Sequence, residues 1–275
     1  MVSGILSKIV ARFRSPEPPP RNWFYGSAAA ILLLAAVLRL LRRFLEPFPV
    51  RDGIWYVQMA QEIAGSSWRE AVSADAGGLL EFYPPLIFAV MAGGEHCGLG
   101  AENAGWVLVL TTGCLLPVAI ALIARELFGD WRYTLGALLL ASIMPPAVRM
   151  SGQLLRESPY WCFCGFALLF AIRAAAKKGW WNWGWFALFG SLATLTRREG
   201  VELLGVFLIF QVFWGWRNSS LPDILRRKLL VVVGVIAVFL ALLLPVQFWL
   251  RQNGSHWEPF PLKNVRYIFQ RFWRS

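Results

Sequence analysis

Residues 229–250 contain no charged side chain. Such a run is far longer than an ordinary strand and too apolar for the surface of a soluble domain. A helix rises about 1.5 Å per residue, so about 20 apolar residues cover the roughly 30 Å hydrocarbon core of a bilayer. Inside that core every backbone N–H and C=O must be satisfied within the segment, which leaves a spanning helix. Shorter runs of the same kind recur along the chain. The composition agrees: of 275 residues, 57% are hydrophobic and 16% charged, where soluble domains carry about 25% charged residues. Length is therefore divided into spans rather than globular domains.

Seven spans are predicted, over residues 23–41, 104–124, 133–148, 159–176, 180–196, 201–216 and 229–250. The fold class is an all-α polytopic transmembrane bundle. A basic cytoplasmic tail is assigned to residues 1–22, the membrane module to 23–250 and a short outer tail to 251–275. The first segment carries Lys8, Arg12, Arg14 and Arg21 and ends in a proline-rich stretch, which reads as a tail and not as a cleavable signal. Pro145 and Pro146 break the third span near its end.

The net charge of +11 would suggest nucleic acid in a soluble protein. Here Lys and Arg sit in short clusters between apolar runs, as the positive-inside rule requires, and nucleic-acid binding is excluded as a reading. Before the C-terminal tail, lysine is confined to the inner segments, whereas arginine also occurs on the outer ones. That asymmetry suits outer arginines used as planar, permanently charged phosphate binders. Cys97, Cys114, Cys162 and Cys164 do not form a metal set. The spacing of Cys162 and Cys164 points them to different helix faces, and they read as small buried hydrophobes.

The outer loop, 47–83, is expected to carry amphipathic helices lying at the membrane surface. Its first helical stretch opens with Arg51 and Asp52. Tyr56, Ala60 and Ile63 then recur at helical spacing, with Gln58, Gln61 and Glu62 on other faces. A second helix follows, capped by Ser66 or Ser67. Tyr83-Pro84-Pro85 leads into residues 86–91, apolar but too short to span.

Several features, in this order, resemble the GT-C superfamily of membrane glycosyltransferases, in its protein O-mannosyltransferase and aminoarabinose-transferase-like branch. They are Arg39 near the end of the first span; Asp52, Tyr56 and Ala60; Tyr83-Pro84-Pro85-Leu86; the Ala-Arg-Glu-Leu-Phe-Gly stretch from Ala124 to Gly129; the late prolines with Ser151-Gly152 and Glu157; and Thr196-Arg197-Arg198-Glu199-Gly200 closing the fifth span. Relatives usually continue into further spans and an outer domain, so the resemblance is to a shortened member. It implies an enzyme of the bacterial inner membrane with its site on the outer face. Such an enzyme takes a sugar from a polyprenyl-phosphate donor, held against membrane lipid, and passes it to an acceptor lipid, glycan or protein. No cofactor is required by the resemblance; a divalent metal is left open, and its ligands are unknown.

The chemistry needs a carboxylate to accept the acceptor's proton and cations for the leaving phosphate. Asp52 is the candidate base and Glu157 the second acid. Arg51, Tyr56, Tyr83, Arg149, Arg197 and Arg198 are the candidate substrate and phosphate contacts. Each has a plainer alternative. Asp52 can cap its helix, Glu157 can be an ordinary first-turn acid favoured by the helix dipole, and Arg197 or Arg198 can close the turn by pairing with Glu199. Glu202 is expected to pair with an arginine. A transporter or lipid flippase is the competing class, although the sequence shows no internal repeat and places its charges at span ends. A partial, non-catalytic glycosyltransferase subunit is a third reading.

Overall fold

The structure is a computed structural model that describes residues 20–46, 49, 51–75, 83–176, 179–213 and 221–257. The tail prediction for residues 1–19, Pro47, Val50, Glu81, Lys177, Lys178, Arg217 and the tail from residue 258 fall outside them. Among the described residues the chain is helical without a strand. The helices are α1 (Arg21–Leu45), α2 (Arg51–Gly65), α3 (Trp68–Ala74), α4 (Leu86–His96), α5 (Ala101–Phe128), α6 (Trp131–Ile143), α7 (Pro145–Ser151), α8 (Glu157–Ala175), α9 (Trp181–Thr196), α10 (Glu202–Phe213) and α11 (Leu221–Gln252), with a 3-10 turn at Arg198–Val201 between α9 and α10.

Among the described residues four helices are long and apolar enough to cross a bilayer: α1, α5, α8 and the Leu229–Gln252 part of α11. α6 and α7, bent by 56° at their break, are together long and apolar enough for a fifth when counted as one span. The chain is thus an all-α polytopic membrane bundle. The two remaining sequence-predicted spans correspond to α9 and α10, which are 16 and 12 residues long as described, short of the roughly 20 a perpendicular crossing needs. The bend falls where the prolines predict it. Met144, ahead of Pro145, is driven out of helical geometry to ψ 116°, because the proline ring crowds the residue before it.

The chain divides into two compact units, with dividing points inside α2, α5 and α9. The first comprises Met1–Gly53 and Trp106–Asn182. In it α1 packs along α6 and α7. Phe24, Ala28, Ile31 and Leu32 of α1 meet Ala121 of α5 and Leu135 and Leu138 of α6. Leu116, Ala147 and Cys162 join α5, α7 and α8, so Cys162 serves as the buried hydrophobe expected of it. Only 11% of the most apolar stretch of α1 is buried; its remaining surface is apolar enough for lipid. At the end of the unit where α5 and α8 finish, Arg173 Nε donates to Glu126 Oε1 at 2.9 Å.

The second unit comprises Ile54–Gly105 and Trp183–Ser275. Its loop helices follow the amphipathic pattern: Tyr56 and Ala60 are buried while Gln58, Gln61 and Glu62 are exposed. Ser67 caps α3, accepting from the Glu70 backbone N–H at 3.3 Å. Phe88 of α4, fully buried, is the hub of an aromatic cluster. Its ring centroid lies 5.5 Å from Trp55, 5.6 Å from Tyr56 and 6.1 Å from Trp68, all edge-to-face, the arrangement favoured by the ring quadrupole. Further along, α10 packs on α11. Gly190 of α9 admits the Phe239 ring of α11, which a Cβ there would approach to 2.7 Å. An apolar groove of about 620 Å³ runs along this unit, lined among others by Trp68, Leu86, Leu195, Pro245 and Trp249.

Candidate active site

In the first unit the end of α1, the start of α2, the α7–α8 connection and the first turn of α8 converge. Glycine makes two of these approaches. A Cβ on Gly53 would stand 2.9 Å from the Leu154 backbone oxygen and 3.0 Å from its Cβ. The start of α2 therefore lies directly against the segment leading into Glu157. A Cβ on Gly152 would overlap the Arg42 side chain, so the same segment is pressed on the last turns of α1. Ser158, next to Glu157, fastens α8 to α5: its Oγ donates to the Val109 carbonyl at 2.9 Å and lies 3.3 Å from Thr112 Oγ1.

This end of the unit gathers charge of both signs. Asp52 is exposed in the first turn of α2 and forms no hydrogen bond or ion pair among the described residues. The helix begins at Arg51, so Asp52 sits inside the first turn and not at the cap. A carboxylate there still faces the positive end of the helix dipole. Glu157 is half-buried in the first turn of α8. Arg51 and Arg149 are exposed. Arg42 pairs with Glu46, whose other oxygen accepts from Gln153 Nε2 at 3.3 Å. The Arg43 guanidinium stacks 4.1 Å over the Trp106 ring. Glu46 and Gln153 were not among the sequence candidates. The spacing of Arg42 and Glu46 carried the only local signal, an i,i+4 pair; the contact of Gln153 depends on packing.

The remaining candidates belong to the second unit. Tyr56 is 1% exposed and Tyr83 half-buried. Both lie in the cluster around Phe88, with Tyr83 also 5.0 Å from Trp55. Arg197 pairs with Glu199 at 3.1 Å across the turn from α9 to α10. Arg198 opens the 3-10 turn and is half-buried. Gly200 closes that turn because a Cβ would strike the backbone of Ala193 and Thr194. Glu202 is exposed and has no ion pair among the described residues, against the arginine pairing expected from sequence. Among the described residues no group of three His, Cys, Asp or Glu side chains is placed to hold a metal.

More than half of the chain, residues 83–249, matches the model of a protein family. Together with the membrane-spanning fold, that match defines a membrane glycosyltransferase of the GT-C type. The chain belongs to the dolichyl-phosphate-mannose-protein mannosyltransferase family. Tyr83, Arg149, Glu157, Arg197 and Arg198 lie inside the matched region, and Arg51, Asp52 and Tyr56 precede it. Comparison with curated proteins returned no match.

Proposed function

We propose that the chain transfers a sugar from a polyprenyl-phosphate donor to an acceptor hydroxyl or amine at the outer face of a bacterial inner membrane, with Asp52 as general base. The observation that carries this reading is the approach of Gly53 to Leu154. It brings the helix start bearing Asp52 against the segment bearing Glu157, beside the arginines at the end of α1. An exposed carboxylate in that position is open to an incoming acceptor. Asp52 takes the acceptor's proton as its oxygen or nitrogen bonds to the anomeric carbon. The bond from that carbon to the phosphate oxygen breaks, and the electron pair leaves with polyprenyl phosphate. Arg51 and Arg149 offset the charge that develops on the phosphate, and Glu157 orients the acceptor.

The test is transfer from polyprenyl-phosphate-linked sugars in proteoliposomes, comparing the full chain with Asp52→Asn. The amide keeps the shape and removes the base. A positioned base contributes about 10²- to 10⁴-fold, and kcat is expected to fall within that range. Undiminished transfer by Asp52→Asn removes Asp52 from the role.

A further inference from the structure

Arg39 is fully buried within α1, a membrane-spanning helix. Its Nη1 donates to the Ala35 carbonyl of its own helix at 3.0 Å and to the Ser142 carbonyl of α6 at 3.1 Å. Nε and Nη2 are buried without a hydrogen-bond partner, and so is Ser142 Oγ. A guanidinium in such a place is costly, and an apolar residue would fill the space more cheaply.

The reason for the arginine lies at Ser142. In a continuing helix the Ser142 carbonyl would accept from the backbone N–H of residue 146. Residue 146 is proline and has none. The helical bonding resumes beyond the break, where Val148 N–H reaches the Met144 carbonyl. The Arg39 side chain stands where the missing donor would be. It does so at the junction of α1 with α5, α6 and α7: a Cβ on Gly113 of α5 would overlap Ser151 of α7 and lie 3.1 Å from Arg39 Nε. We propose that Arg39 is a positioning residue, a side-chain replacement for the backbone donor removed by Pro146. It pins the bend between α6 and α7 to α1 and so fixes the course of the chain toward Arg149 and Glu157. This concerns the bend itself and does not depend on which donor or acceptor the enzyme takes.

Global stability is a poor readout, because replacing Arg39 also relieves the cost of its burial. The test is local hydrogen exchange of the full chain in lipid nanodiscs, run as a double-mutant cycle of Arg39→Met against the joint replacement Pro145→Ala/Pro146→Ala. A hydrogen bond from a charged donor corresponds to about tenfold or more in local opening. Arg39→Met is expected to speed exchange of residues 147–157 by about tenfold and to leave α4 unchanged. Arg39→Lys, which keeps a donor, gives a smaller rise. In the background with both prolines replaced the helix can continue and the backbone donor is restored, and Arg39→Met then produces little further change. An equal rise in both backgrounds, a rise spread over α4 as well, or no rise overturns the proposal. Should Arg39→Met fail to insert, Arg39→Leu, which also lacks a donor, carries the same cycle with the same outcomes.

Discussion

Gly53→Ala adds one carbon where α2 meets the segment before Glu157. The new Cβ would lie 2.9 Å from the Leu154 carbonyl oxygen, 3.0 Å from Leu154 Cβ and 3.1 Å from Pro49 Cβ, whereas ordinary contact begins at 3.4 Å. The nearest atom belongs to the backbone, so no rotamer change relieves it, and the two segments must part by about 0.5 Å. Alanine favours the helix by about 0.5–1 kcal/mol over glycine. Forcing an extra carbon into a packed contact costs about 1–3 kcal/mol. At the middle of both ranges the overpacking wins, leaving a net loss of about 1 kcal/mol. The effect on rate should exceed the effect on stability, since a misplacement of about 1 Å is worth about 10²-fold. At half that displacement, kcat is expected to fall about tenfold. The control is Gly65→Ala at the other end of the same helix, where no atom lies within 4 Å of the added Cβ. Unfolding in a denaturing-detergent titration and sugar transfer in proteoliposomes are measured on both variants. If Gly53→Ala matches Gly65→Ala in both, α2 does not rest on Leu154 and the contact does not set the position of Asp52.

Phe88→Ala removes the hub of the aromatic cluster. A fully buried phenylalanine costs about 3–5 kcal/mol on truncation, which the same detergent titration would register; a loss under about 1 kcal/mol would mean the rings around it are not packed. Ser158→Ala removes the hydroxyl that ties α8 to the Val109 carbonyl. Interhelical bonds of this kind in membranes average about 0.6 kcal/mol, so stability should barely move, while transfer drops because Glu157 follows the start of α8; unchanged kcat would detach Glu157 from the site.

Much of the architecture is legible from sequence, because transfer of a segment into lipid depends on its own composition. The uncharged run ending near Leu250 spans whatever it packs against. Pro145 and Pro146 break their helix through chemistry they carry themselves, and Ser67 caps α3 for an equally local reason. Asp52 and Glu157 were nominated through the resemblance to a family, because each also has a plain local role at the start of its helix. Tertiary packing decided what those residues meet. Lipid tails and helix faces are equally apolar, so hydropathy does not reveal which helices touch. Those contacts depend on small residues and on partners far away in the chain. Nothing near Gly53 in sequence indicates that its missing side chain admits the Leu154 backbone. Nothing near Arg39 indicates a carbonyl 103 residues further on. The pairing of Arg197 with Glu199 was one of two local alternatives, and the structure shows it at 3.1 Å. Sequence alone thus determined a membrane bundle with acids and arginines at the ends of its spans. The close approaches of Gly53, Gly113 and Gly152, possible only where a side chain is absent, gathered Asp52, Glu157 and the α1 arginines at one end of a unit.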